Sequence, residues 1–224
     1  MGALKKANRI LLAFFVIPTP PYFCNMEKKK VMLGLRLPTD PRWVEIVEGN
    51  IEEILTDHAY CEQKATTNAI TNIVRFPEYS DMVEEMTRIA QEEIQHFGMV
   101  HQELLKRGLT LGRERKDPYV HDLATFILHG GSREEQFVDR MLFGAMIEAR
   151  SCERFRLLSE RIADEDLKKF YYDLMVSEAD HYTTFITLAR KYGKGVDVDK
   201  RWQECLDFEA GLMEKYGKRE TIHG

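Results

Sequence analysis

Two Glu-x-x-His motifs in this sequence of 224 residues have the residue types and the spacing of metal ligands. Residues three positions apart lie on one face of a helix, so the carboxylate and the imidazole of each motif can bind the same ion. A further glutamate precedes each motif, by 31 residues in one case and by 30 in the other. The six candidate ligands are Glu62, Glu93, His96, Glu148, Glu178 and His181. This oxygen-rich set favours iron over zinc, although manganese or a mixed pair would accept the same ligands.

Long helices have to carry these residues, and the placement of proline allows such helices. All seven prolines lie at or before Pro118, and only Pro77 interrupts residues 42–117. Proline costs about 3 kcal/mol in a helix interior, so proline-free stretches permit long helices. Apolar residues recur with a helical period, and strand signals are weak. We therefore predict an all-α protein with helices near residues 42–75, 79–107, 119–129, 132–161, 164–192 and 198–216.

Local sequence signals mark the ends of several predicted helices. Helix C-termini are expected at Arg107-Gly108, Gly130-Gly131 and Tyr192-Gly193, because glycine readily adopts the backbone conformation that ends a helix. Helix N-termini are expected at Thr39-Asp40-Pro41 and at Ser132-x-x-Glu135, the second with the pattern of a capping box. These signals divide the chain into four long helices and additional short and C-terminal helices.

The apolar seams of the four long helices each contain one candidate glutamate. In the helix near 164–192 the seam consists of Leu167, Tyr171, Leu174, Glu178, His181, Phe185 and Leu188. An ionised carboxylate buried without a partner costs several kcal/mol, and four of them would repel one another. No seam lysine or arginine can neutralise them, whereas two divalent cations would balance the four negative charges. One Glu from each of two helices plus Glu-x-x-His from each of the other two is the ligand pattern of a ferritin-like four-helix bundle, which is the fold we predict.

Two other arrangements of acidic residues and histidine compete with this ligand set. Glu153 lies five positions after Glu148, which places it about 140° further round the helix and off the seam. A third Glu-x-x-His motif, Glu220 to His223, lies beyond the last long helix, and we discount it. The alternative to a metal site is a set of buried polar residues whose hydrogen bonds are satisfied within the protein.

Five neighbours of the candidate ligands are candidates for supporting roles. His58 lies one turn before a candidate ligand, and is either a hydrogen-bonded core histidine or a seventh ligand or proton relay. Glu92 and Asp180 flank candidate ligands and could orient a ligating imidazole, the alternative being solvated surface charge. Cys152 is predicted to be a small buried hydrophobe. Gly144 either leaves room for dioxygen or substrate, or permits close packing of helices.

Composition and charge exclude several classes of protein. Hydrophobic residues make up 44% of the chain and charged residues 31%, which is ordinary for a globular protein and excludes disordered, collagen-like and multi-span membrane proteins. The net charge of -5 argues against binding of nucleic acid by bulk charge, although a local basic patch is compatible with it. Four scattered cysteines fit a reducing cytoplasm better than a disulfide scaffold.

Residues 1–31 differ from the rest of the chain and are interpreted as a leader or a disordered arm. The apolar run at residues 10–17 is far shorter than the roughly 20 residues of a membrane helix, and no small-x-small cleavage site follows it. Met26, which precedes Glu-Lys-Lys-Lys, is a candidate for the true start of the protein. We therefore predict that residues 32–224 form the helical di-iron domain, and we expect no association with a membrane.

Five strings of residues closely resemble one enzyme family. They are Leu33-Gly-Leu-Arg-Leu-Pro-Thr-Asp-Pro-Arg-Trp43, Asp57-His-Ala-Tyr-Cys-Glu-Gln-Lys-Ala65, Glu92-Glu-Ile-Gln-His-Phe97, Ile147-Glu-Ala-Arg-Ser-Cys-Glu-Arg-Phe155 and Ser177-Glu-Ala-Asp-His-Tyr182. Over roughly residues 32–217 the chain resembles the tRNA 2-methylthio-isopentenyladenosine hydroxylases. The resemblance implies a cytoplasmic non-haem di-iron monooxygenase that hydroxylates the isopentenyl group of the modified adenosine beside the tRNA anticodon. It also implies dioxygen as oxidant, two electrons from an electron-transfer protein or reductase, and the six residues above as iron ligands.

A tRNA substrate requires basic residues near the mouth of the pocket. The candidates are Arg113, Arg115, Lys116 and Lys194, with Lys191, Lys200 and Arg201 close to the last of these in sequence. The alternative for all of them is an ordinary solubilising surface.

Two other functions compete with the tRNA hydroxylase, because one fold serves several activities. They are a di-iron oxygenase acting on a small molecule or lipid, and a ferritin-like iron-binding or storage protein.

Overall fold

The computed structural model describes residues 32–126 and 131–223, and this part of the chain is helical with no β-strand. A short 3-10 turn at Met32–Gly34 precedes seven α-helices. They are α1 (Trp43–Gly49), α2 (Ile51–Arg75), α3 (Ser80–Lys106), α4 (Pro118–Ala124), α5 (Arg133–Arg161), α6 (Glu165–Tyr192) and α7 (Val198–Tyr216). None of these helices has a stretch that is long and apolar enough to span a membrane. The segment interpreted as a leader or arm, residues 1–31, lies outside the described residues.

The four long helices form a ferritin-like four-helix bundle, as the sequence predicts. Helix α2 packs along α3 and α5 packs along α6, and the short connections make each pair an antiparallel hairpin. Two clusters of buried apolar side chains fill the bundle, one containing Met86 and Phe185 and the other containing Leu55 and Leu174. On each long helix the candidate glutamate lies between residues of the two clusters. A layer of polar side chains is therefore enclosed between two apolar layers.

The capping box predicted at the start of the helix near residues 132–161 is present. The Ser132 hydroxyl accepts a hydrogen bond from the backbone N–H of Glu135 at 3.1 Å, and the Glu135 carboxylate accepts one from the backbone N–H of Ser132 at 2.7 Å. Helix α6 ends at Tyr192 with Gly193 at its C-cap, as predicted. Helix α3 ends at Lys106, and Gly108 adopts the left-handed backbone conformation with φ of +69°.

Two of the predicted helices differ from the structure. The helix predicted over residues 42–75 is two helices, because Asn50 leaves the helical conformation with φ of -141° and ψ of 40°. Glycine and asparagine are poor helix formers, and the Asn50 side chain donates a hydrogen bond to the Ile46 carbonyl at 2.9 Å instead of facing solvent. The helix predicted over residues 119–129 ends at Ala124, and residues 127–130 lie outside the described part of the chain.

Candidate metal centre

The structure brings the six predicted ligands together in the middle of the bundle. Helix α2 contributes one, α3 two, α5 one and α6 two, and all six side chains are buried. Their donor atoms form two groups, each with all four atoms within 4.8 Å of one another. The first group is Glu62, Glu93, His96 and Glu178, and the second is Glu93, Glu148, Glu178 and His181. Glu93 and Glu178 belong to both groups, so the arrangement is that of two adjacent sites with two shared carboxylates.

Both imidazoles present their Nδ1 atoms to the carboxylates. His96 Nδ1 lies 3.3 Å from Glu93 Oε2, and 3.9 Å from Glu62 Oε2 and from Glu178 Oε1. His181 Nδ1 lies 2.8 Å from Glu93 Oε1 and 3.8 Å from Glu178 Oε2. Among the described residues, Glu93 Oε1, Glu178 Oε1 and His181 Nδ1 are buried without a hydrogen bond of good geometry. Buried polar atoms left unsatisfied are costly, and metal coordination would satisfy these three.

The electrostatics of the cluster also fit divalent ions. Burial, and then the neighbouring carboxylates, raise the pKa of Glu62 and of Glu148. Burial acts on Glu93 in the same direction, but hydrogen bonds with Glu62, His181 and His96 outweigh it and hold the pKa of Glu93 below its usual value. Protons on some of the carboxylates therefore relieve the repulsion when no ion is bound. Two divalent ions would relieve it without protons, and the fold and this cluster together fit a di-iron site.

Comparison with known proteins decides the family of the chain. A family model described as tRNA-(MS2IO6A)-hydroxylase (MiaE) matches residues 26–224. The chain belongs to the MiaE family.

Three relatives illustrate this membership. The chain is 35% identical over 189 residues to a Pseudomonas putida protein named tRNA 2-(methylsulfanyl)-N(6)-isopentenyladenosine(37) hydroxylase, an alignment that covers 84% of this chain and 91% of the relative. A Salmonella typhimurium protein of the same name is 26% identical over 238 alignment positions, with 82% and 84% covered. A solved structure titled "Protein 43 with aldehyde deformylating oxygenase activity from Synechococcus" has a TM-score of 0.77 and 30% identity, and the match covers 85% of this chain and 95% of that one.

His58 contacts the cluster of candidate ligands without joining either group of four donors. Its Nε2 lies 2.6 Å from Glu62 Oε1, and its ring stacks on Tyr171 with centroids 5.6 Å apart. Burial, followed by the charges of His96 and of a histidine near the C-terminus, lowers the pKa of His58 to about 3. The imidazole is therefore neutral, and it holds the Glu62 carboxylate in place by a hydrogen bond.

Glu92 orients one of the two imidazoles, whereas Asp180 does not touch either of them. Glu92 Oε2 lies 2.9 Å from His181 Nε2, which fixes the ring with Nδ1 towards the carboxylates. This hydrogen bond lowers the pKa of Glu92 to about 2. Arg88 Nη1 binds Glu92 at 2.9 Å, and Arg88 Nη2 lies 3.2 Å from Asp180. Asp180 is thus connected to the cluster only through Arg88.

The cysteine and the glycine near Glu148 have the packing roles that their residue types suggest. Cys152 is fully buried, and its thiol donates to the Met175 carbonyl at 3.5 Å. Burial raises the pKa of this thiol, so it remains protonated. Gly144 faces Phe185 so closely that an added Cβ would lie 2.7 Å from the ring. Close packing of α5 on α6 therefore favours glycine at this position, and Gly144 also lines a cavity together with Glu148, so both predicted roles fit the structure.

Sequence reasoning missed a second buried polar network on the opposite side of α5. Arg150 binds Glu209 of α7 at 2.7 Å and Glu153 at 3.2 Å, and Tyr119 donates to Glu209 at 3.0 Å. Glu153 is therefore buried, as a metal ligand would be. It faces a different side of α5 from Glu148, as the five-residue spacing predicts. One signal in the sequence could have revealed the network. In the run Ile147–Phe155 the polar residues lie on more than one side of the helix, so a single solvent-exposed face cannot contain all of them.

The C-terminal histidine is buried away from the cluster. His223 Nε2 lies 3.1 Å from Ser151 Oγ, and its Nδ1 lies 3.4 Å from Cys61 Sγ and from Asp117 Oδ2. The discounted motif Glu220 to His223 thus does not join the six candidate ligands. This agrees with the position of the motif beyond the last long helix, whereas nothing in the sequence predicts the burial of His223.

The basic candidates for tRNA contact fall into two groups. Three of them, Arg113, Lys116 and Lys194, are exposed. Arg115 instead donates to the Glu220 carbonyl at 2.7 Å and lies 3.2 Å from Glu53, so it holds the C-terminal segment against α2. Near Lys194, Lys191 pairs with Asp81, Arg201 pairs with Asp139 at 2.7 Å, and Lys200 is exposed.

Proposed function

We propose that this chain hydroxylates the isopentenyl group of 2-methylthio-N6-isopentenyladenosine beside the tRNA anticodon, as a di-iron monooxygenase. The activity is the one named for its family and for its curated relatives. The observation that carries the proposal is the pair of buried four-donor groups that share Glu93 and Glu178. In this proposal residues 32–224 form the catalytic domain, residues 1–31 lie outside it, and the tRNA substrate implies a cytoplasmic location.

Each group of donors would hold one ion. Glu62 and His96 would hold the first, Glu148 and His181 would hold the second, and Glu93 and Glu178 have donor atoms within reach of both. Iron suits the oxygen-rich set, and manganese or a mixed pair would accept it. When bound, the reduced ion pair supplies the activation of dioxygen for insertion of one oxygen atom into a C–H bond, with two electrons from an electron-transfer protein or reductase.

The protein's own residues position the ligands and keep water away. Glu92 fixes the orientation of His181, and His58 fixes Glu62 by a hydrogen bond. The apolar layers above and below the cluster exclude water, which protects a reactive oxidant from unproductive reduction. Exposed Arg113, Lys116 and Lys194 are the proposed contacts for tRNA phosphates.

Mass spectrometry of nucleosides tests this function directly. Unhydroxylated tRNA bearing the methylthio-isopentenyl nucleoside is incubated with iron-loaded protein, a reductant and dioxygen. We expect the modified adenosine to gain one oxygen atom, and we expect Glu148→Ala to abolish the gain. If the wild-type protein binds two irons and consumes dioxygen but leaves this nucleoside unchanged, the proposal is wrong.

A small-molecule substrate is the second candidate function. It is favoured by the solved structure whose title names aldehyde deformylating oxygenase activity, at 30% identity and a TM-score of 0.77. Incubation of the same preparation with a fatty aldehyde and analysis of the hydrocarbon product distinguishes the two. For iron storage, the third candidate, a measured stoichiometry of two irons per chain would count against it and cage assembly would support it.

A further inference from the structure

A further group of potential metal ligands lies outside the glutamate cluster. It consists of the Cys61 thiol on α2, the Asp117 carboxylate at the N-cap of α4 and the His223 imidazole near the C-terminus. The three donor atoms all lie within 4.8 Å of one another. The Asp117 and His223 side chains are each only 4% exposed, and Cys61 is buried as well. The group shares no residue with the six candidate ligands.

Hydrogen bonds within this group leave one carboxylate oxygen unsatisfied. His223 Nδ1 lies 3.4 Å from Cys61 Sγ and also 3.4 Å from Asp117 Oδ2, so one ring nitrogen faces two partners. A nitrogen of this kind has a single hydrogen or a single lone pair, and an N–H···O bond is about 2.7–3.2 Å long. Asp117 Oδ2 is accordingly buried without a hydrogen bond. An ion between the three donors would satisfy this oxygen.

Neighbouring groups hold two of the three side chains in these orientations. Ser151 Oγ lies 3.1 Å from His223 Nε2, a contact that turns Nδ1 towards the thiol and the carboxylate. Asp117 Oδ1 accepts a hydrogen bond from the backbone N–H of Val120 at 3.1 Å, and Oδ2 is thereby directed at the group. The donors are therefore positioned before any ion binds.

The two measured separations match those of a tetrahedral zinc site. Zinc binds sulfur at about 2.3 Å and nitrogen or oxygen at about 2.0–2.2 Å. At the tetrahedral angle these bond lengths place sulfur and nitrogen about 3.5 Å apart, and nitrogen and oxygen about 3.4 Å apart. The corresponding atoms of this chain are 3.4 Å apart in both cases. Zinc accepts such a mixed set of sulfur, nitrogen and oxygen, and a thiolate with a carboxylate balances its two positive charges.

We propose that Cys61, Asp117 and His223 bind one zinc ion at a mononuclear site beside the glutamate cluster. The three residues line the same cavity as Gly144 and Glu148, so the fourth coordination position is open to that cavity. Binding releases the thiol proton to solvent, and the ion joins α2, the start of α4 and the C-terminal segment. This zinc is counted apart from the two irons of the glutamate cluster, so tests of that cluster measure iron alone.

Substitution with cobalt tests the site, because a thiolate bound to Co²⁺ absorbs strongly in the near ultraviolet, whereas carboxylate and imidazole ligands do not. The full chain carries Cys24→Ser, since that cysteine lies outside the described residues. It is freed of metal with a chelator and titrated with Co²⁺. We expect one thiolate-bound cobalt ion per chain, and we expect Zn²⁺ to displace it because zinc binds such sites more tightly.

Cys61→Ser and Cys152→Ser are matched variants for this measurement. Both thiols are buried on bundle helices close to a candidate ligand of the glutamate cluster. We expect Cys61→Ser to lose the thiolate absorption and Cys152→Ser to keep it in full. A parent chain without this absorption overturns the proposal. A folded Cys61→Ser that keeps the absorption, or a folded Cys152→Ser that loses it, overturns the proposal as well.

Asp117→Asn keeps the proposal testable where Cys61→Ser does not fold. The asparagine oxygen can still cap α4 at the Val120 N–H, but the side chain loses its charge and its second carboxylate oxygen. We expect the thiolate absorption to persist at saturation while the affinity for Co²⁺ falls by about tenfold or more, since even an outer-shell partner contributes roughly 10–100-fold. An affinity within about twofold of the parent value contradicts the proposal. None of these outcomes depends on hydroxylation of tRNA.

Discussion

Helix α5 has a cluster of buried charged residues on each of two opposite sides, and the negative charge is compensated differently in the two clusters. On one side Glu148 joins three other glutamates and two histidines. On the other side Glu153 and Glu209 form ion pairs with Arg150, and the buried Arg154 adds a second positive charge near them. Burial lowers the pKa of Arg154 to about 10, which still leaves it protonated near neutral pH.

The difference lies in where the cations come from. The arginine side of α5 is neutral within the protein itself, and Arg154 further donates to the carbonyls of Thr221 at 2.5 Å and Gly217 at 3.3 Å. On the glutamate side, among the described residues, the ion-pair partners of Glu62, Glu93 and Glu178 are histidines, and none of the four glutamates pairs with a lysine or arginine. A buried acidic cluster that lacks cations of its own is the one that fits metal ions. Burial of acidic residues alone does not distinguish the two sides.

The largest expected effect comes from removing a ligand on the glutamate side. Glu148→Ala is expected to abolish hydroxylation and to lower the metal content below two ions per chain, because one site loses the carboxylate that it does not share. Metal analysis and the nucleoside assay measure the two effects. Glu153→Gln, on the same helix, should retain two ions. Full activity of Glu148→Ala with one ion per chain would contradict the ligand set.

Removing a cation on the arginine side should destabilise the fold without affecting metal binding. Arg150→Met leaves the buried Glu153 and Glu209 without this ion-pair partner, and we expect a loss of about 3–5 kcal/mol in the free energy of unfolding in urea. The folded variant should still bind two ions. Arg190→Met is the control, since its 2.7 Å pair with Asp199 lies at the surface and should contribute less than about 1 kcal/mol. If Arg150→Met loses metal but keeps the wild-type free energy of unfolding, the two sides of α5 do not have the separate roles described here.

Metal removal should affect stability through the glutamate side alone. At a free metal concentration of about 100 times the dissociation constant, binding to the folded state adds about 2.7 kcal/mol to the free energy of unfolding. Thermal unfolding with and without a chelator measures this gain. We expect Arg150→Met to keep the gain and Glu148→Ala to lose much of it. An unchanged melting temperature of the wild-type protein after complete metal removal would argue against a site in the bundle core.

The smallest effect is expected from the residue that orients His181. Glu92→Ala should lower metal affinity by about 10–100-fold, because the imidazole loses the hydrogen bond that fixes its direction. Competition with a chelator of known affinity measures the change. Asp180→Ala removes a contact to the same Arg88 without touching the imidazole, and it should have little effect. Equal losses in both variants would indicate that surface charge matters and orientation does not.

The sequence predicted the glutamate side of α5 and missed its arginine side, for a physical reason. The candidate ligands stand out because one apolar seam with a helical period places a charged residue where burial is expected. Arg150 and Glu153 look like surface residues until it is known that α7 covers the back of α5, and that contact is between segments distant in sequence. The burial of His223 likewise depends on tertiary packing, whereas the break at Asn50 has a local cause in the Gly49-Asn50 pair. The capping box at Ser132 was predictable because it involves only neighbouring residues.

The shared carboxylates have a consequence for how metal enters and leaves the protein. Glu93 belongs to the α2–α3 hairpin and Glu178 to the α5–α6 hairpin, and both belong to both groups of donors. With the proposed ligands, neither ion can dissociate without breaking bonds to both hairpins. Loss of one ion then also removes a bond from each of the two carboxylates that hold the other. Gain and loss of the two ions are therefore expected to be coupled, and any motion that moves one hairpin away from the other weakens both sites together.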